Sequence, residues 1–108
     1  MIINSFNLTK EDLSFVCPYL KCKKLDLGKN NLTEKGMQII EQYLSRNKTL
    51  TELDLQENYL SEESIKSLSN ALKSNNSLES LILKRCDLDT PKVKLLCEAL
   101  EVFFFVYF

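Results

Sequence analysis

Apolar residues follow two different spacings along this chain, and both spacings return with a period of 28 residues. The three complete copies begin at Cys22, Leu50 and Leu78. In the first copy, Leu25 and Leu27 stand at alternate positions, which is the spacing of a short strand with one buried face. Met37, Ile40 and Leu44 then follow at the spacing of an amphipathic helix. The pattern predicts a strand, a turn and a helix in every unit.

The other two copies repeat this arrangement. Their strand leucines are Leu53 with Leu55 and Leu81 with Leu83, and their helical stripes are Ile65, Leu68 and Leu72, then Val93, Leu96 and Leu100. We predict Thr33, Ser61 and Asp89 as helix N-caps, because short polar side chains accept hydrogen bonds from the free N–H groups of a first turn. Strands that alternate with helices predict a parallel sheet with the helices on its outer side.

A period in this range is typical of a solenoid, in which each unit buries its apolar face against the next unit. A degenerate copy lies upstream and is four residues short, so we predict a partial first unit whose helix ends near Pro18. The predicted organisation is a single segment over 1–108, with a partial repeat at 1–21, repeats at 22–49, 50–77 and 78–101, and an apolar tail at 102–108.

The apolar tail departs from the repeat, which calls for a polar connector and another strand after Leu100. The tail has high β-propensity and no charge, so it is an aggregation hazard unless it is buried. It either folds back over the last repeat as a cap or marks the truncation of a longer array. Truncation is the favoured interpretation, because the end caps of solenoids usually present a polar outer surface.

The chain must turn at the end of every predicted strand. Asn30, Asn58 and Cys86 stand at this turn in the three copies. A buried Asn amide at the turn is expected to hydrogen-bond backbone groups of its own turn and of the next one.

The segments LTELDLQENYL and LKRCDL match the pattern LxxLxLxxN/CxL, and on these residues the chain resembles the leucine-rich repeat proteins of the ribonuclease inhibitor-like class. The stretch VKLLCEAL is similar to the helical part of repeats in the NLR family, particularly its NLRP branch. The resemblance covers 1–101 and implies a right-handed α/β horseshoe segment of about 3.5 repeats. It also implies the role of a sensing or autoinhibitory arm in innate immunity. The chain departs from the family pattern at two positions. Cys22 stands in place of the first Leu of its unit, and Ser64 and Lys92 stand where the first copy has the pattern's glycine, Gly36.

Composition narrows the class of partner. The formal net charge is −1, from 14 Lys and Arg against 15 Asp and Glu, which argues against binding to nucleic acid or an anionic membrane. No stretch approaches the roughly 18 apolar residues of a membrane span, and the N-terminal residues do not resemble a secretory signal. These observations predict a cytoplasmic protein.

The cysteines fit the same compartment. They are Cys17, Cys22, Cys86 and Cys97. Their spacing matches no zinc motif and the chain has no histidine, so we predict reduced, mostly buried thiols and neither metal nor cofactor. Disulfides are the alternative and would need an extracellular setting. We interpret the four Asn-x-Ser/Thr triplets, which begin at Asn7, Asn31, Asn47 and Asn75, as chance matches.

The sequence predicts that the protein is not an enzyme. The absence of histidine excludes the usual Ser/His and Cys/His nucleophilic systems. An SxxK match from Ser45 to Lys48 falls in a polar connector between repeats. Asp26 and Asp54 would form a carboxylate pair on neighbouring strands, but the sequence indicates no pocket around them.

A solenoid of this kind offers the concave face of its strands to a partner. We call the side chains that point from the strands and their end turns away from the helices the strand face. The candidate contact residues are Lys24, Asp26, Lys29, Glu52, Asp54, Gln56, Glu57, Ile82, Lys84 and Arg85. Opposite charges on adjacent strands are expected to pair, as at Lys29, Glu57 and Arg85.

The predicted function is therefore non-catalytic binding of a protein partner. The sequence also leaves open a second mode of interaction, in which the segment packs against other domains of a longer parent chain. The alternatives are a structural or autoinhibitory fragment whose strand face is merely solvated, and a binder of the ribonuclease inhibitor type.

Overall fold

The computed structural model describes residues 9–17, 21–100 and 105–108, in which helices and strands alternate. The helices are α1 (Lys10–Val16), α2 (Glu34–Arg46), α3 (Glu62–Ser74) and α4 (Thr90–Ala99). The strands are β1 (Lys24–Asp26), β2 (Glu52–Asp54), β3 (Ser80–Ile82) and β4 (Phe105–Tyr107). The strands form one parallel sheet in chain order, and each helix packs against the next. The predicted α/β solenoid is confirmed.

One hydrophobic core joins the strands to the helices. Leu53 and Leu81 of the strands and Leu55, directly after β2, are fully buried, as are Ile65 and Leu68 of α3. Each strand has only 3 residues, so its ladder of hydrogen bonds is short. Burial of a leucine side chain contributes about 2 kcal/mol, and this burial is what holds each strand against its helix.

The predicted helix caps are confirmed at Thr33, Ser61 and Asp89, whose side chains accept hydrogen bonds from the backbone N–H three residues on. The partial first unit has a cap as well. Thr9 accepts from the N–H of Asp12 at 3.2 Å, and the Asp12 carboxylate accepts from the N–H of Thr9 at 2.9 Å. Helix α1 ends at Val16, near the predicted point; Pro18 lies outside the described residues.

The burial of α4 differs from the predicted stripe. Leu96 is buried, but Val93 and Leu100 are only half-buried, and Lys92 and Ala99 are buried in their place. Within the described part of the chain, α4 packs against α3 alone, so only one of its flanks is covered by another helix. The predicted stripe therefore lies on α4 and its C-terminal end as expected, but only Leu96 of its three residues is buried.

The prediction of mostly buried cysteines holds in part. All are free thiols, with Cys17 and Cys86 buried and Cys22 half-buried. Cys97 is exposed, contrary to the prediction, because no described helix covers the second flank of α4.

A buried amide ties neighbouring units together at the strand ends. The Asn58 side-chain nitrogen donates to the carbonyl oxygens of Leu27 and Leu55 at 3.0 Å each. Its side-chain oxygen accepts from the backbone N–H groups of Asn30 at 3.1 Å and Leu32 at 3.0 Å. Asn58 thus joins its own turn to the preceding turn. The prediction that such an amide reaches the next turn was wrong in direction.

The third unit makes the same connection with a thiol. The Cys86 thiol donates to the carbonyl oxygen of Leu55 at 3.1 Å, and the N–H of Leu60 bonds to the Cys86 carbonyl at 3.3 Å. A thiol supplies one weak donor where the amide supplies two donors and an acceptor. The tie between the second and third units is therefore weaker than the tie between the first and second.

Asparagines also stand at the C-terminal ends of α2 and α3, and there Asn75 joins its own unit to the preceding one. The Asn75 side-chain nitrogen donates to the carbonyl oxygens of Leu44 at 2.7 Å and Asn47 at 3.1 Å. The side-chain oxygens of Asn47 and Asn75 accept from the N–H groups of Leu50 and Leu78 at 2.7 Å each. Both residues were interpreted as chance triplets, although they recur at the repeat period. The structure gives them a structural role.

The apolar tail contributes the fourth strand. In its register with β3, Ser80 faces Phe105, Leu81 faces Val106 and Ile82 faces Tyr107, an offset of 25 residues (105 − 80) instead of 28. Val106 packs against the core. The strand that the repeat calls for after Leu100 is therefore present within the tail.

Asn58→Ala is expected to lower the free energy of unfolding by about 2 kcal/mol, because it leaves several buried backbone groups without partners. Asn58→Cys should cost less, since a thiol at this position still donates to a neighbouring carbonyl, as Cys86 does. Urea unfolding followed by circular dichroism measures both changes. The control is Asn76→Ala at an exposed position; equal losses for Asn58→Ala and Asn76→Ala would contradict the tie between units.

Candidate functional site

The strand face consists of side chains that alternate with the buried leucines of each strand. Register aligns Lys24, Glu52 and Ser80 in one row across β1, β2 and β3, and Asp26, Asp54 and Ile82 in another. The exposed candidates are Lys24, Lys29, Lys84 and Arg85, and the half-buried ones are Asp26, Glu52, Asp54, Gln56, Glu57 and Ile82. All the candidates therefore lie along β1, β2, β3 and the turns that follow them.

A charged bridge crosses the turns at the ends of the strands. The Glu57 carboxylate lies 2.9 Å from Arg85 Nη1 and 3.4 Å from Lys29 Nζ. The hydrogen bond from Arg85, assisted by Lys29, lowers the pKa of the Glu57 carboxyl. Lys29, Glu57 and Arg85 share a left-handed backbone conformation, with φ of 55°, 59° and 56°. This common geometry aligns the three side chains, and the predicted pairing is confirmed.

Asp26 and Asp54 have a structural role in addition to any binding role. Each carboxylate accepts a hydrogen bond at 2.9 Å from the N–H two residues on, in Gly28 and Gln56 respectively. These Asx-turns fix the two carboxylates next to each other on paired strands. The acidic pair is therefore held in place by the fold before any partner arrives.

The pKa of the Asp54 carboxyl is raised. Partial burial is the main cause, and the negative charges of Asp26 and Glu52 add to it, while the N–H of Gln56 and the charge of Lys84 act in the opposite direction. A cationic group brought to this position would relieve the repulsion and favour the ionised form.

The next row of the strand face lacks a side chain at the end where Gly28 lies. Gly28 is buried, and a Cβ at this position would lie 3.1 Å from both the Asp26 carboxylate and the Gln56 Cγ. The row formed by Gly28, Gln56 and Lys84 thus presents only two side chains. Its glycine leaves the room that the Asp26 turn requires.

Sequence reasoning missed one residue of the strand face. Strand β4 places Tyr107 beside Ile82, and the tyrosine is 48% exposed. The signal was present, since the repeat calls for a strand after Leu100, but the shortened spacing of the tail concealed the register. The face therefore changes from charged at Asp26 and Asp54 to apolar at Ile82 and Tyr107.

Nothing in the described residues resembles a metal centre: they contain no group of three or more His, Cys, Asp or Glu side chains placed to hold an ion. None of the helices in the described part of the chain is long and apolar enough to cross a membrane.

Comparison with known proteins supports the same fold. Residues 49–71 match the family model described as Leucine Rich Repeat. Fourteen chains of solved structures match this chain, and no curated protein does. One match is "Leiomodin-1 Actin-Binding Site 2 (ABS2)", with a TM-score of 0.81, 22% sequence identity, and coverage of 98% of this chain and 68% of that chain. The leucine-rich repeat part of the resemblance is confirmed at the level of the fold.

The Asp54 carboxyl is expected to titrate above 3.8, the ordinary value for an aspartate. Asp26→Asn should lower the Asp54 pKa without restoring it fully, because burial is the larger cause, and Lys84→Gln should raise it further. Carbon-detected NMR of the side-chain carboxyl across acidic pH measures all three values. A wild-type pKa at or below 3.8 would contradict this description of the site.

The same shift predicts a pH dependence of stability. Because the folded chain binds this proton more tightly than the unfolded chain, the contribution of Asp54 to stability falls as pH rises from the ordinary pKa through the raised one. Asp54→Asn should remove that part of the dependence in urea unfolding experiments.

Proposed function

We propose that this chain is a non-catalytic protein-binding module whose partner contacts the strand face. The observation that carries the proposal is the register of the strands. It arranges Asp26, Asp54, Ile82 and Tyr107 as one row across four strands, acidic at one end and apolar at the other. A partner segment with a cationic group next to an apolar or aromatic side chain complements that row.

The distribution of charge supports a protein partner over a polyanion. Cations and anions are interspersed on the strand face, as in the bridge formed by Lys29, Glu57 and Arg85. Mixed signs of this kind favour a specific, complementary partner surface, whereas nucleic acid requires a face of predominantly positive charge.

The architecture supports the same function. Solenoids use their extended strand surfaces for binding. The similar structure named Leiomodin-1 Actin-Binding Site 2 is, by its title, a protein-binding site in another protein. We propose that the shared fold serves protein binding here as well, with a partner of its own.

The finer assignment is a sensing or regulatory arm of the NLR type in the cytoplasm. Its support is the resemblance of VKLLCEAL to NLR repeats. The free thiols at Cys17, Cys22, Cys86 and Cys97 support a reducing compartment.

The test combines the strand-face variant Asp26→Asn/Asp54→Asn with affinity capture from cell extract and calorimetry on the purified partner. Asparagine keeps the side-chain oxygen that closes each Asx-turn and removes only the charge. We expect binding to weaken roughly tenfold, which corresponds to the loss of about 1.4 kcal/mol from two partly desolvated ion pairs. Tyr107→Ala tests the apolar end of the face.

The matched control is Glu62→Gln/Glu98→Gln, which removes the same charge from exposed positions on α3 and α4. It should bind the partner like the wild type. Binding that is unchanged in both strand-face variants would overturn the proposal and favour a structural fragment that packs through its helices.

A further inference from the structure

A cleft of about 640 Å³ lies on the helix side of the protein, apart from the strand face. Its walls are the end of α1, the C-terminal half of α2 and the connector that leads to β2. Sites for small organic ligands typically have volumes of roughly 300–1,000 Å³. The cleft is thus large enough for a ligand of that kind.

The described lining of the cleft carries charge of one sign. Its charged residues are Lys21, Arg46 and Lys48, all of them exposed, and none of the described lining residues is an Asp or a Glu. None of the three forms a salt bridge with any described residue. Elsewhere on the surface, Lys29, Lys66 and Arg85 form ion pairs. The three cations of the cleft have no counter-charge among the described residues.

The other titratable groups in the cleft do not offset this charge. Burial raises the pKa of the Cys17 thiol to about 11 and is the main cause that raises the pKa of the Tyr43 hydroxyl to about 12. Both groups are neutral at physiological pH. With Ile39, which is half-buried, they supply an apolar wall below the cations.

One wall of the cleft is held in place by the hydrogen bonds at the end of α2. The Asn47 side-chain oxygen accepts from the N–H groups of Thr49 and Leu50, and Asn75 bonds to the carbonyl oxygens of Leu44 and Asn47. These contacts fix the connector. A ligand would therefore meet a preformed wall on this side of the cleft.

Helix electrostatics explains only part of the positive charge. Arg46 lies in the last turn of α2, where a cation is favourable next to the negative end of the helix dipole. Lys21 and Lys48 lie outside the helix, so the dipole does not account for them. Their convergence with Arg46 on one cleft needs a different reason.

We propose that this cleft binds a small organic anion, in which one acidic group is carried on an aromatic or aliphatic body. The acidic group pairs with Lys21, Arg46 and Lys48, and the body packs against Ile39, Tyr43 and Cys17. The site is separate from the strand face, so an occupied cleft and an occupied strand face are compatible. Its test is independent of the proposed protein partner.

The experiment titrates the full chain with anilinonaphthalene sulfonate, a fluorescent aromatic anion, and with its neutral relative N-phenylnaphthylamine. Amide NMR spectra locate the bound probe. We expect saturable binding of the anion, weaker binding of the neutral dye, and shifts centred on Ile39, Asn47 and Thr49. The variant Arg46→Gln/Lys48→Gln should weaken the binding of the anion roughly three- to tenfold, since each exposed ion pair contributes only modestly.

The control is Lys35→Gln/Lys73→Gln. It removes the same charge from exposed positions outside the cleft, and Lys73 lies in the last turn of α3 as Arg46 lies in the last turn of α2. Thermal unfolding of every variant confirms that it folds. The proposal is overturned if the cleft variant and the control bind the anion equally, if the neutral dye binds as tightly as the anion, or if the NMR shifts lie elsewhere.

A further outcome separates small anions from acidic chains. If a labelled penta-glutamate peptide binds and anilinonaphthalene sulfonate does not, the cleft recognises an acidic polypeptide and the proposal is wrong.

Discussion

The tie between successive units is the interaction on which this structure depends. No unit buries its leucines alone, and its strand of 3 residues offers few hydrogen bonds. Asn58 compensates at the strand ends and Asn75 at the helix ends, each joining its own unit to the one before it. Because the two ties lie at opposite ends of the core, neighbouring units are fixed against both sliding and rotation. The pairing of equivalent residues on neighbouring strands, which forms the rows of the strand face, is a consequence of that restraint.

Much of the fold could be predicted from the sequence because its causes are local. Alternating leucines and helical stripes set the elements, and Thr33, Ser61 and Asp89 begin the helices where a short polar side chain is needed. Other features depend on neighbours that a sequence pattern does not describe. The exposure of Cys97 follows from the single partner of α4, and the direction of the Asn58 hydrogen bonds follows from how the turns stack.

The candidate site was predictable to a similar extent. The rows of the strand face follow directly from the repeat, and Glu57 pairs with Lys29 and Arg85 as the spacing indicates. Tyr107 was missed because β4 joins the sheet after a shortened spacing. The basic cleft was not predicted, because it is formed by the ends of elements from two units and by the connector between them. Such sites follow from packing, and linear periodicity does not reveal them.

The column of Gly36, Ser64 and Lys92 shows that the units have become specialised. A Cβ at Gly36 would lie 3.3 Å from the Leu13 side chain of the neighbouring helix, so the first complete unit leaves little space for a side chain there. Ser64 is buried, with its hydroxyl 3.2 Å from that of Ser61, and Lys92 extends to the Asp87 carbonyl at 3.0 Å and over the ring of Tyr59. Units that share the repeat frame therefore differ in their surroundings at this position. The size of the side chain at this one position, absent at Gly36, small at Ser64 and long at Lys92, distinguishes each unit from the others in its place along the chain.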